Sequence, residues 1–304
     1  MRAVVVSALG GPEVLRVVEQ PDPVPGPGQV LVRVRAATVN PADLAACAGQ
    51  LPGPPDRLPV VPGWDIAGEV VAVGGAEGGY RPGDRVAGLI PWFDTRGRPG
   101  GYAELVVADA AWLAPIPDGL DEVAAATVPL NGLTARQALD LMALPGPTTL
   151  LVTGASGGVG GYGVQLAVRA GYRVLAMAGT GDEEWVRGLG ADLVLPRDAD
   201  LAAAGPVPAV LDAVPLGPPA AAGVADGGTV VTTRPTVPVD GARRVRQEVV
   251  LVRPDPVALA ALLRDVAEGR LRTRVAATLP LTEATEAHRR VAAGAVAGKV
   301  VLLP

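Results

Sequence analysis

The 304-residue chain has a single cysteine, Cys47, and a single histidine, His288. One thiol builds no internal disulfide framework. These two residues supply neither the four thiolates of a common structural zinc site nor the three ligands of a common catalytic one, so no metal is expected. Cys47 then reads as a small buried thiol and His288 as a helix-surface imidazole. Basic residues are equally sparse. The net charge is −5, and the one tight cluster is Arg243, Arg244 and Arg246, which excludes a nucleic-acid surface as an expectation. Proline, glycine or a charge interrupts every apolar run well before the ~18 residues that a membrane span needs, so no membrane segment is expected. The N-terminus reads as a short strand without the longer apolar core and cleavage site of a secretory signal, and a cytoplasmic location is the expectation. Aromatics make up 3% of the residues, so the adjacent pair Trp92 and Phe93 stands out.

Apolar residues are abundant, at 49% with only 19% charged, enough for a packed core in each of about two domains. Over residues 1–117 the pattern is short strand, turn, short strand, with turns such as 23–28 (PVPGPG) and 81–84 (RPGD), where proline fixes φ and glycine accepts positive φ. Over residues 118–255 helical and strand patterns alternate, a rhythm that implies a parallel sheet with helices on both faces. After Pro256 an amphipathic helix, a further helix near 282–293 and a closing strand at 299–303 read as a return to the first domain. The expected fold class is α/β, with a β domain formed by 1–117 and 256–304 and a doubly wound domain formed by 118–255.

Residues 150–167, LLVTGASGGVGGYGVQLA, carry the most chemistry. An apolar strand runs into a glycine-dense turn and then a helical pattern that stops at Gly171. In a dinucleotide fold the glycines let the backbone approach a pyrophosphate and let helix pack on strand, while the helix N-terminus offers unpaired N–H donors. The match is A-x-G-x-x-G, with Ala155 where the usual fingerprint has its first glycine, followed by Gly157 and Gly160. Ala155, Ser156, Gly157, Gly158, Val159 and Gly160 are therefore the expected cofactor-binding turn. The alternative is a strand-to-helix turn without a ligand.

Ordered segments along nearly the whole chain resemble the medium-chain dehydrogenase/reductase superfamily, in its zinc-free quinone oxidoreductase-like branch. They include GGPEVL at 10–15, Asn40-Pro41-Ala42-Asp43, Pro62-Gly63-Trp64-Asp65, Tyr80-Arg81-Pro82-Gly83-Asp84, Gly100-Gly101-Tyr102, Leu133-Thr134-Ala135, the glycine turn, Leu189-Gly190-Ala191-Asp192 and Gly298-Lys299-Val300-Val301. The resemblance implies a GroES-like β domain with a Rossmann domain inserted, and an active site in the cleft between them. Zinc-dependent relatives hold a histidine and a cysteine where this chain has Trp64 and Asn40. Without a Lewis acid an unactivated ketone is a hard acceptor, whereas a quinone or an α,β-unsaturated carbonyl delocalises the charge that follows hydride addition.

The resemblance places Asn40, Asp43, Trp64 and Thr134 as catalytic candidates, with Asn40 as a polar contact to substrate or ring, and Asn131, Trp92 and Phe93 as substrate-binding candidates. Local readings compete: Asn40-Pro41 as a turn, Asp65 as a helix cap, Thr134 as an N-cap, and Trp92 with Phe93 as anchors of a loop at 89–96. Relatives' tyrosine near Leu51, and arginine or tyrosine near Cys47, are missing, which leaves the acceptor open.

At the end of the second strand a carboxylate would select NAD and a basic residue NADP. Neither stands at 177–181, so Gly179, Thr180 and Arg187 are the candidates there, with Arg173 a further cation. Asp182, Glu183 and Glu184 oppose a phosphate, and family habit favours NADPH with NADH possible. The leading expectation is a zinc-independent NAD(P)H-dependent reductase of quinones or activated alkenes, acting on a small molecule as a homodimer paired through segments 229–237 and 248–252. The alternative keeps the fold but only binds cofactor or ligand, without redox turnover, in a non-redox biosynthetic step.

Overall fold

The computed structural model describes residues 1–51, 58–75, 79–294 and 296–304. Two compact units emerge, Met1–Leu130 with Arg253–Pro304, and Asn131–Val252. The first opens with strands β1 (Arg2–Val6), β2 (Leu15–Glu19), β3 (Gln29–Val39), β4 (Asp65–Val73), β5 (Arg85–Leu89), β6 (Leu105–Asp109) and β7 (Leu113–Pro115). β1 and β2 form an antiparallel pair. β3 is the hub of a larger sheet, antiparallel to both β4 and β6, and β5 and β7 extend it beyond β4.

Helices α1 (Pro41–Cys47), α2 (Trp92–Thr95), α3 (Glu122–Ala126) and α4 (Pro129–Met142) punctuate these strands, and the boundary between units falls within α4. Asn40-Pro41 is thus the start of a helix rather than a free turn. Proline at N1 is pre-set for helical φ, and the Asp43 carboxylate reaches back 2.8 Å to accept the Asn40 N–H, the acidic half of a capping box. Segment 89–96, expected as a loop, contains α2, which ends at Arg96 in the left-handed region with φ of 53°.

The second unit runs β8 (Thr149–Thr153), α5 (Gly158–Arg169), β9 (Arg173–Ala178), α6 (Glu183–Gly188), β10 (Leu193–Pro196), α7 (Leu201–Ala204), β11 (Val207–Asp212), α8 (Pro218–Ala222), β12 (Val224–Thr232) and β13 (Arg246–Val249). Its sheet is parallel throughout, in the order β10-β9-β8-β11-β12-β13. Alternation along β8 explains the two covered faces. Leu150 and Val152 pack with Val164 and Ala167 of α5, while Leu151 packs on the opposite side with Ala220 and Ala221 of α8. Chain order reverses between β8 and β11, the place where open α/β sheets bind ligands beyond their strand C-termini.

The chain closes with α9 (Pro256–Ala267), β14 (Val275–Pro280), α10 (Ala284–Ala292) and β15 (Lys299–Leu303). β15 lies antiparallel to β3 and parallel to β14, which completes the sheet of the first unit. The architecture is the expected α/β combination of a GroES-like domain with a Rossmann-like parallel sheet. Among the described residues no helix is long and apolar enough to cross a membrane.

Candidate active site

β8 ends at Thr153, Gly154 turns the chain with φ of 60°, and α5 begins at Gly158 with Gly157 as its N-cap. Gly157 has an extended backbone and, as a glycine, brings no side-chain cap of its own. The first-turn N–H groups of this twelve-residue helix have no acceptor within the helix, which makes its N-terminus a place for an anion. The two fingerprint glycines do different work. A Cβ on buried Gly160 would lie 2.7 Å from the Gly154 carbonyl carbon and 2.9 Å from the Ala155 Cα, so this glycine lets α5 pack onto the end of β8. A Cβ on exposed Gly157 would meet only the Gly154 oxygen, at 3.3 Å, so its open side is free for a ligand. Ala155 is buried and donates its N–H to the Met177 carbonyl at 2.9 Å, tying the turn to the end of β9. Ser156, Gly158 and Val159 are half-buried. This cradle fits a dinucleotide's phosphates.

Asn131 and Thr134 both lie on α4 and are buried. A Cβ on Gly158 would meet the Asn131 side-chain amide, 2.7 Å from its Cγ, so Asn131 packs on the glycine turn. Thr134, three residues on, shares that helix face and sits inside the helix, not at its N-cap.

At the end of β9 the sequence shows no cation, but the parallel register supplies one. Pro196 of β10 pairs with Ala178 of β9, which brings Arg197 beside Gly179. A Cβ on Gly179 would lie 2.9 Å from an Nη atom of Arg197, so the guanidinium rests directly over that glycine. Thr180 next to it is exposed. Arg187 is exposed in the last turn of α6. Arg173 starts β9, ~20 Å of strand away from Gly179, and is thereby removed from the candidates. Of the opposing acids, Glu183 is turned back to accept the Gly181 N–H at 2.8 Å.

In the first unit, Asn40 and Asp43 are fully buried. Lys299, the first residue of β15, donates its Nζ to the Val39 carbonyl at 3.0 Å and to Asn40 Oδ1. Asn40 Nδ2 in turn donates to Asp65 Oδ2 at 2.8 Å. The amide is therefore oriented by an ammonium on one side and a carboxylate on the other. Asp65 also accepts from Thr38 Oγ1 at 2.5 Å and from the Leu130 N–H at 2.6 Å, so from strand β4 it caps the first turn of α4. Asp43 accepts from the N–H groups of Asn40 and Gly63, at 2.8 and 2.9 Å. Burial pushes both carboxyls up, Asp43 to about 7, and pushes Lys299 down, while the opposite charges work against those shifts. Lys299, Thr38 and Asp65 are the partners that sequence reasoning did not join to Asn40.

The same network holds the backbone on either side of Trp64. Gly63, with φ of 107°, is tied to Asp43, Asp65 is tied as above, and the Trp64 carbonyl accepts the Ile90 N–H at 2.7 Å. The Trp64 ring stacks on Trp92 with centroids 5.9 Å apart and meets Phe93 edge-on at 5.0 Å. Trp92 donates its indole N–H to the Val61 carbonyl at 3.3 Å. The indole N–H of Trp64, whose residue is 2% exposed, has no hydrogen-bond partner among the described residues. An unsatisfied buried donor costs ~1–3 kcal/mol.

Two family profiles match the chain, an alcohol dehydrogenase GroES-like domain over residues 26–118 and a zinc-binding dehydrogenase over residues 189–302. The donor set does not fit zinc. His288 is buried with its Nε2 on the Tyr102 hydroxyl at 3.2 Å, and burial pushes the Cys47 thiol up to about 12, away from the thiolate a metal needs. Among the described residues no group of three or more His, Cys, Asp or Glu side chains could hold a metal ion. A chloroplast envelope quinone oxidoreductase homolog of Arabidopsis thaliana is 32% identical over 97% of this chain and 95% of its own length. A 2-methylene-furan-3-one reductase of Solanum lycopersicum is 31% identical over 91% of this chain and 72% of its own. The solved quinone oxidoreductase from Coxiella burnetii superposes with a TM-score of 0.88 at 29% identity, covering 100% of this chain and 99% of that one. With likeness running the length of both units and a glycine turn of the expected build, the chain belongs to the medium-chain dehydrogenase/reductase superfamily, in its quinone oxidoreductase-like branch.

Proposed function

We propose that the protein is an NADPH-dependent oxidoreductase that delivers hydride to a quinone or to an α,β-unsaturated carbonyl compound. The observation that carries this reading is the glycine turn at the N-terminus of α5, with the open side of Gly157, together with a guanidinium over Gly179. The amides of Gly158, Val159 and Gly160 would hold the pyrophosphate, with Ala155 and Ser156 shaping the turn and Asn131 and Thr134 backing it from α4. Arg197 would take the 2′-phosphate of the adenine ribose, with Gly179 giving it room and Thr180 beside it, and this favours NADPH over NADH. Arg187 on α6 is a second cation for that phosphate.

When bound, the reduced nicotinamide supplies the hydride; the protein contributes position, dryness and hydrogen bonds. Asn40 and Asp43 act through the Asp65 carboxylate and the Gly63 N–H, to which they hydrogen-bond, and Trp64, Trp92 and Phe93 form an apolar aromatic cluster whose half-exposed member, Phe93, suits a conjugated acceptor. The relatives named above are a quinone oxidoreductase and a reductase of an exocyclic enone, which supports that acceptor class.

Mixing the protein with NADPH and a panel of quinones, enones and enoyl thioesters tests the reading. Loss of nicotinamide absorbance above the blank is expected with at least one acceptor. Tight NADPH binding without turnover across the panel would favour a binding protein instead.

A homodimer formed through the outer edge of β13 belongs to the same proposal, since exposed Val237 and Leu251 flank that unpaired edge. Gel filtration at the mass of one 30.6 kDa chain would reject it. A cytoplasmic location is proposed with it, in keeping with a lone buried thiol.

A further inference from the structure

We propose that Asp212 is a positioning residue for the nicotinamide half of the cofactor, acting through the turn at 213–217. This rests on the nucleotide-binding part of the reading above. The path of the molecule follows from the order of the sheet. Gly179 and Arg197 follow β9 and β10, on one side of the glycine turn that ends β8, and this is the side assigned above to the adenosine end. A dinucleotide whose phosphates lie at that turn therefore carries its other half across the switch point, toward the end of β11. Asp212 is the last residue of β11.

Three observations within the second unit converge on the turn that follows. Asp212 and Thr153, register partners at the ends of β11 and β8, are both fully buried, and Thr153 Oγ1 donates to Asp212 Oδ1 at 2.7 Å. The other carboxylate oxygen accepts the Gly217 N–H at 2.9 Å, so one side chain closes the turn and ties it to β8. Burial pushes this carboxyl up, and the Gly217 and Thr153 donors work against that shift. Second, the Val214 N–H donates to Thr153 Oγ1 at 3.3 Å and Thr233 Oγ1 donates to the Ala213 carbonyl at 3.4 Å, which holds the turn between the ends of β8 and β12. Third, a Cβ on Gly154 would run into the Val214 side chain, so the valine lies directly on the first residue of the glycine turn. Val214 is nonetheless 47% exposed, an apolar group left open beside the phosphate cradle. Asp212, fully buried, reaches a ligand only through the turn it shapes. A wall fixed before binding spares the nucleotide the cost of ordering it.

The test is Asp212→Asn, read with two ligands: NADPH, and 2′,5′-ADP, which carries the adenosine, its 2′-phosphate and a 5′-phosphate but no nicotinamide. An amide accepts on one side only, so either Thr153 or Gly217 loses its acceptor and the turn loosens. By isothermal titration the variant is expected to bind NADPH about tenfold more weakly than the parent does, and 2′,5′-ADP equally tightly. A general loosening of the second unit would weaken both ligands alike, and that result, or unchanged NADPH binding, would overturn the proposal. In a second measurement, on 15N-labelled parent protein, the Val214 and Gly217 amide signals are expected to shift more at saturation with NADPH than with 2′,5′-ADP. Equal shifts, or none, overturn it whether or not the variant folds. A parent that binds no NADPH removes both this proposal and the reductase reading. A parent inert toward every acceptor, whose variant shows the selective loss, keeps Asp212 in its role and removes turnover alone.

Discussion

Replacing Gly157 and Gly160 by alanine, one at a time, separates nucleotide binding from packing within a single turn. At Gly157 the backbone, φ −83° and ψ 176°, is open to any L-residue, and the new methyl meets only the Gly154 oxygen at 3.3 Å. Lower entropy of the unfolded chain would stabilise such a variant by ~0.4–1 kcal/mol, and a slightly tight contact offsets part of that, so stability stays within about 1 kcal/mol of the parent. The same methyl stands on the exposed side of the turn, at the N-cap of α5, where the phosphates would bind. Each charge-assisted hydrogen bond lost there is worth ~1.5–3 kcal/mol, which is a rise of ~10- to 150-fold in the dissociation constant of NADPH.

At Gly160 the methyl would enter the backbone of Gly154 and Ala155. Helix α5 has to move off β8, at ~1–3 kcal/mol of stability. Urea unfolding followed by tryptophan fluorescence reads the first quantity, and isothermal titration with NADPH the second. The reasoning is refuted if Gly157→Ala binds NADPH as tightly as the parent, or if Gly160→Ala is as stable as Gly157→Ala.

Arg197→Leu is expected to raise the dissociation constant of NADPH by ~10- to 150-fold and to leave that of NADH unchanged; an equal effect on both would remove Arg197 from the 2′-phosphate. His288 is buried and its pKa is pushed down to about 4, so between pH 6.5 and 4 the unfolded chain binds a proton that the folded one refuses, and stability contributed by the neutral ring is lost as the pH falls. Buried Asp43, pushed up to about 7, has the opposite sign: its protonated form is favoured in the fold, and its contribution is lost as the pH rises from about 4 to about 7. In urea titrations between pH 4.5 and 6.5, the parent's stability advantage over His288→Gln is therefore expected to grow by up to ~1.4 kcal/mol per pH unit, and its advantage over Asp43→Asn to shrink; parallel pH profiles for all three proteins would contradict both assignments.

The glycine turn was legible in the sequence because its determinants are local. An apolar strand, small residues where backbone meets backbone, and a helical repeat all fall within residues 150–167, and β8 and α5 form there. The lack of zinc ligands is equally a property of composition, since no folding creates a second histidine. The helix at Pro41–Cys47 was half visible as Asn40-Pro41, which suits a turn and a helix start alike until the Asp43 carboxylate closes the cap.

What only the tertiary structure decided are the partners of single polar groups. Arg197 meets Gly179 because two parallel strands run in register, Pro196 against Ala178, and no local signal in either segment names the other. Asn40 has its amide turned by Lys299, 259 residues away, because β15 returns to pair with β3. The Trp64 indole N–H has no partner among the described residues, and such a group is a cost only where packing has already excluded water. Sequence fixes which donors and acceptors a chain carries; the fold, by bringing distant segments together around them, determines which are paired and which remain for a ligand.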